Sequence, residues 1–171
     1  GAWAERVCAE EPAWRLLPNP DRTAGPGRNR GVAATRAPYL LFLDGHCRLP
    51  SETLLEDVLD AFRAGHRCLS RPQRLVPAND GSIARAIVIA RGLRVGHMPG
   101  TATHRVREGL VDPKSAGCAY GRNLFRALGG YDERFDASED VELNWRVSRL
   151  GIRAFHSPAF ETRHVARGTL G

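Results

Sequence analysis

The chain predicts an α/β domain in which a mixed sheet is flanked by helices, and three observations carry that expectation. First, Tyr39–Leu43 is a run of Leu and Phe without polar alternation, as in a strand buried on both faces. Second, the segment that follows places Leu54, Leu55, Val58, Leu59 and Phe62 on one helical stripe. Third, strand-like and helix-like segments continue to alternate toward the C-terminus.

The elements follow in order. Val7 and Trp14–Leu17 mark a short helix or strand remnant that ends at Pro18-Asn-Pro20. Gly25-Pro-Gly27-Arg28-Asn29-Arg30-Gly31 opens a small-residue helix, either a plain turn into an Ala-rich helix or an entry that brings backbone N–H groups near an anion. It lacks the Gly-Lys-Ser/Thr ending of a phosphate-binding P-loop. After the Tyr39–Leu43 strand and Pro50, Ser51 is placed as N-cap of the helix that Gly65 ends. Arg67–Ser70 reads as a strand, and Ser82 as the cap of a helix through Ile83, Ile87 and Ala90.

From Gly92 to Glu108, Gly, Arg and His dominate, and no element is assigned; His97 and His104 lie there outside the expected site. Gly117–Tyr120 reads as a strand against a crowded backbone, and the helix from Asn123 stops at Gly129-Gly130. Ser138 is placed as cap of a helix to about Leu150, with Leu143, Val147 and Leu150 as its core stripe and Gly151 past its end. Ile152–Phe155 is a strand, and Glu161–His164 closes the patterned part.

At 171 residues, 42% apolar and a mean hydropathy of −0.35, the chain suits one domain, 1–171, with a sizeable core. No apolar run of about 18 residues and no leader pattern is seen, so a cytoplasmic setting is expected. The net charge is +6, with 24 of the 25 basic residues arginine. The arginines are dispersed and aromatics are only 7%, which argues against a nucleic-acid partner. Cys8, Cys47, Cys68 and Cys118 show no zinc or disulfide spacing and read as reduced thiols.

Two acidic constellations can carry chemistry. Asp44-Gly-His46 ends a strand, where α/β sheets gather their ligands. Its oxygen and nitrogen donors suit a divalent cation such as Mn²⁺ or Mg²⁺ gripping a diphosphate. Asp-Gly is also an ordinary turn dipeptide, and these residues alone do not choose between the two readings. Glu139 and Asp140 lie in the first turn of a helix, where carboxylates are stabilised by roughly 0.3–1 kcal/mol for structural reasons alone. One of them facing a pocket would serve as a general base. Trp145 further along is either a sugar-stacking wall or core.

The order Pro26-Gly-Arg28-Asn29-Arg-Gly31, Leu41-Phe-Leu-Asp44-Gly-His46, Gly129-Gly-Tyr131-Asp-Glu-Arg-Phe135 and Glu139-Asp140-Val-Glu-Leu resembles the family 2 glycosyltransferases, which have the GT-A fold. With Val111-Asp112 and Ala166-Arg167-Gly-Thr-Leu170, the resemblance is nearest to the bacterial branch that builds exopolysaccharides such as succinoglycan.

The resemblance implies a metal-dependent hexosyl transfer, with inversion, from a nucleotide-diphosphate sugar to a glycan or lipid-linked acceptor. It assigns Asp44 and His46 to the metal, with His in place of the second acid, and His164 as a third ligand. Arg28, Asn29 and Asp44 would bind the donor, while Asp140, with Glu139 beside it, would be the catalytic base. A similar Asp-x-His-Cys occurs in the polypeptide N-acetylgalactosaminyltransferases, where the His binds metal. Nothing before Asn19 matches the family's opening strand–helix–strand, so a chain lacking that segment of about 50 residues is expected. The membrane helices that often follow the catalytic domain in this branch would lie beyond Gly171, which would set this cytoplasmic chain at the inner face of the membrane. The other reading is a non-catalytic GT-A-like domain that binds a sugar or a protein partner.

Overall fold

The computed structural model describes residues 2–77, 79–92, 107–115 and 117–165. The Gly92–Glu108 segment lies almost wholly outside them, as do His97, His104 and Ala166–Leu170.

Among the described residues there are six α-helices and eight strands. In chain order they are α1 (Ala2–Glu10), α2 (Ala24–Ala33), β1 (Tyr39–Leu41), β2 (Cys47–Arg48), α3 (Leu54–Arg63), β3 (Cys68–Ser70), β4 (Gln73–Val76), α4 (Ser82–Gly92), β5 (Gly109–Val111), β6 (Gly117–Gly121), α5 (Arg122–Ala127), α6 (Glu139–Arg149), β7 (Ala154–His156) and β8 (Thr162–Val165). Five strands make a sheet ordered β1-β6-β3-β7-β5, in which only β3 and β7 run parallel. The remaining three form a smaller sheet, β2-β8-β4, with β8 antiparallel to β2 and parallel to β4. This is the expected α/β architecture with a mixed sheet and flanking helices; the second sheet was not anticipated.

The large sheet divides the core in two. On one face Leu40, Cys68 and Tyr120 pack with Val32 of α2, Leu124 and Phe125 of α5, and Leu143 and Val147 of α6. On the other, Leu69, Cys118 and Ala119 meet Leu54, Val58, Ala61 and Phe62 of α3. Neighbours 118 and 119 share a face because the β3–β6 register shifts there, pairing Leu69 with Ala119 and Ser70 with Gly117 and leaving Cys118 as the extra residue of a bulge. Burying a Leu such as Leu143 contributes about 1.5–3 kcal/mol.

Several expectations need correction. Leu150 is 59% exposed and Leu55 67% exposed, so neither belongs to its helix's core stripe. Buried Asn144 extends the α6 stripe instead; it accepts from Tyr120 Oη at 2.7 Å and donates to the Gly117 carbonyl. Ser138 does not cap α6 through its side chain; its backbone is left-handed, at φ 62°. Ser51 does not cap α3 either: Thr53 holds the N-cap position, and Ser51 Oγ accepts from the Thr53 N–H. β1 is an edge strand with exposed Tyr39, not a strand buried on both faces. No described helix is long and apolar enough to cross a membrane.

Candidate functional site

Beyond β1 the chain makes a tight turn, closed by the Cys47 N–H donating to the Asp44 carbonyl at 3.0 Å, and enters β2. Antiparallel pairing then sets Cys47 opposite His164 of β8, and the Val165 N–H donates to the His46 carbonyl. The small sheet therefore brings His164 beside Asp44, His46 and Cys47, residues far away in sequence. One donor atom each from Asp44, His46 and His164 lies within 4.8 Å of the others. The His46 and His164 rings meet edge to face with centroids 5.2 Å apart. Cys47 Sγ lies 3.2 Å from His164 Nε2, and burial raises its thiol pKa, so a neutral thiol borders the ring.

A second group closes on Asp44 from the helices. Arg28, on the second turn of α2, donates from Nη2 to Asp44 Oδ1 at 2.6 Å and from Nη1 to Glu139 Oε1. Its guanidinium sits over the Tyr131 ring, 5.3 Å from the centroid. Burial opposes ionisation at both ends of the Arg28–Asp44 pair. The hydrogen bond and charge of Arg28 outweigh it at Asp44, which is held below the usual carboxylate range; Tyr131, then Asp44 and Glu139, outweigh it at Arg28, which is raised above its ordinary value. Asp44 is thus an anion, with one oxygen committed to Arg28.

The two acids at the start of α6 occupy different environments. Glu139 is buried against Arg28. Asp140 is exposed, and its Oδ1 accepts from the Val141 N–H at 2.9 Å. Successive residues of a helix point about 100° apart, so the two carboxylates diverge from the first turn of α6, which follows the left-handed Ser138.

Asn29 points away from the metal-capable group. It accepts from the Tyr131 N–H and donates to the Tyr131 carbonyl and to Glu133, pinning the Gly-Gly-Tyr loop to α2. That loop needs glycine: Gly130 has φ +77°, and an added Cβ would lie 2.8 Å from Asn29 Oδ1. Trp145 is half exposed on α6, with Arg149 over its ring.

Sequence reasoning missed Arg71. It follows β3, is buried, and donates from Nη1 to the Phe42 carbonyl at 2.9 Å, adding positive charge near Asp44 and Cys47. The available signal was a charged residue directly after an apolar strand, where ligands gather.

Chemically, one carboxylate and two imidazoles make a mixed O/N donor set. Such a set fits Mn²⁺ and similar transition ions better than Mg²⁺, which favours oxygen ligands. A neighbouring arginine suits the oxygens of a phosphate.

Comparison with known proteins is consistent with this chemistry. Residues 1–126 match the family model described as Glycosyl transferase family 2. The chain is 29% identical over 157 residues to "Succinoglycan biosynthesis protein ExoA" of Rhizobium meliloti, a match covering 88% of this chain and 45% of that protein. It is 28% identical over 145 residues to "Pre-mycofactocin glycosyltransferase" of Mycobacterium tuberculosis, covering 84% of this chain and 30% of the relative. The chain thus spans less than half the length of these curated relatives.

Proposed function

The chain belongs to glycosyl transferase family 2, and from that premise we propose that it transfers a sugar from a nucleotide-diphosphate donor to an acceptor hydroxyl, with inversion, in polysaccharide synthesis. The observation that carries this reading is the convergence of Asp44, His46 and His164 beside the Arg28 bridge.

Asp44, His46 and His164 would hold a divalent cation, Mn²⁺ on the donor set. When bound, such an ion supplies Lewis-acid neutralisation of the departing diphosphate. Arg28 holds Asp44 ionised and oriented. Glu139 balances Arg28 from the other side, so the guanidinium stays at the mouth of the site rather than collapsing onto Asp44 alone. Asp140, exposed at the start of α6, receives the acceptor's proton as the hydroxyl attacks. Glycan or lipid-linked acceptors, and association with a membrane through segments outside this chain, belong to the same proposal.

The test is release of nucleoside diphosphate from a panel of nucleotide sugars with Mn²⁺ and an acceptor. Asp140→Asn is expected to lower turnover by about 10²–10⁴ while leaving donor affinity nearly unchanged. Equal loss of donor affinity and turnover would assign Asp140 a structural part instead. A non-catalytic sugar-binding domain is the second reading, favoured by the commitment of the Asp140 carboxylate to its own helix; donor binding without turnover in the intact protein would select it.

A further inference from the structure

A cleft lies apart from the metal-capable group, lined by none of Asp44, His46 and His164. It opens between α2 and α5, with a volume of ≈ 850 Å³, inside the range of small-molecule sites. Arg36, Arg122 and Arg126 line it together with Thr35, and no acidic residue does. Nearby arginines on the same helices or their neighbours are neutralised by carboxylates, as Arg30 is by Asp21 and Arg146 by Glu142. Among the described residues, no ion pair joins the three arginines of the cleft.

Arg122 makes the imbalance structural. Its Nε donates to the Ala37 carbonyl and its Nη1 to the Val32 carbonyl at 3.2 Å, so its position is fixed by backbone. Nη2 is buried and has no hydrogen-bond partner. Carbonyl oxygens satisfy donors without cancelling charge, and a guanidinium stays protonated in proteins. A fixed, half-buried cation without a counter-charge is costly, and an anion in the cleft would relieve it. Arg36 and Arg126 are exposed at the rim, where their planar forks match phosphate oxygens. The Thr35 hydroxyl accepts from the Ala37 N–H at 3.2 Å, which leaves its own proton free to donate.

We propose that the α2–α5 cleft binds a phosphate-bearing anion, held by Arg36, Arg126 and Thr35 over the fixed charge of Arg122. The shared chemistry is a phosphate group, carried either by a soluble phosphorylated compound or by a lipid headgroup. None of Asp44, His46, His164 and Asp140 lines the cleft, so this binding is independent of the divalent cation.

The experiment titrates the intact protein with pyrophosphate in buffer containing EDTA, read by isothermal calorimetry. A parallel arm measures sedimentation with phosphatidylcholine vesicles that lack or contain phosphatidylglycerol. Saturable pyrophosphate binding identifies a soluble phosphate, and retention on phosphatidylglycerol vesicles alone identifies a headgroup. In either case Arg36→Gln/Arg126→Gln is expected to weaken binding by about tenfold or more, and His46→Ala to leave it unchanged. The two rim arginines are exposed, and a thermal melt of the double variant verifies that it is folded. Absence of binding in both arms, or binding that the folded double variant retains in full, overturns the proposal.

Discussion

Arg28 donates to Glu139, a residue 111 positions further along the chain, and so anchors the first turn of α6 to α2. The same guanidinium reaches Asp44 at 2.6 Å, so one side chain ties the end of β1 to the start of the helix that carries Asp140. Glu139 and Asp140 are therefore neighbours with separate duties. One sets the frame and the other stays open to solvent.

That division is measurable. Glu139→Gln removes a buried counter-charge from Arg28 and is expected to cost about 1–3 kcal/mol in chemical denaturation. Asp140→Asn, at an exposed position, should change stability by under about 0.5 kcal/mol. Equal costs would contradict the assignment.

Asn29 acts through the loop that it fastens. Asn29→Ala leaves the N–H and carbonyl of buried Tyr131 without their side-chain partner, and a loss of about 1–3 kcal/mol is expected. Hydrogen exchange at the Tyr131 amide should accelerate in this variant. An unchanged exchange rate would show that the bracket carries no stability.

How much of this was legible in the sequence depends on the element. The stripe Leu143–Val147 was readable because both residues fall on one helical face; Leu150 failed because the last turn of α6 runs past the core, so periodicity outlasts burial there. Gly117 was readable as a crowded position, and an added Cβ would meet Asn144 Oδ1 at 2.1 Å. The small sheet was not legible, since a two-residue strand such as Cys47–Arg48 carries no period at all. His164 could be placed beside Asp44 only through a resemblance, because strand pairing across 117 residues leaves no local trace. Arg28 was noticed as a ligand candidate, whereas its bridging geometry needed the fold.

The Gly117 contact gives a paired test. Gly117→Ala alone should be destabilised by more than about 2 kcal/mol, because backbone and Asn144 cannot both hold their places. Adding Asn144→Ala removes the clash, so the double variant should be less destabilised than the sum of the singles. Additive costs, read from denaturant midpoints, would rule out the contact as the cause.

Asp132 supplies a pH prediction. The Arg134 side chain and backbone N–H hold its carboxyl down to about 2. A depressed folded-state pKa means that the contribution is present above the usual value of 3.8 and is lost as the pH falls toward 2. Carboxyl ¹³C NMR should show a midpoint near 2 that rises toward 3.8 in Arg134→Ala. A midpoint unmoved by that substitution would sever the pair.

Asp44, His46 and His164, with one donor atom each within 4.8 Å of the others, are proposed to hold together the cation that grips a diphosphate. The direct measurement is calorimetric binding of uridine and guanosine diphosphates to the intact protein, with Mn²⁺ and with EDTA, in the wild type and in His164→Ala. Mn²⁺-dependent binding of at least one diphosphate is expected, weakened by about tenfold or more in the variant. Binding that is indifferent to Mn²⁺, or that His164→Ala leaves intact, would contradict it.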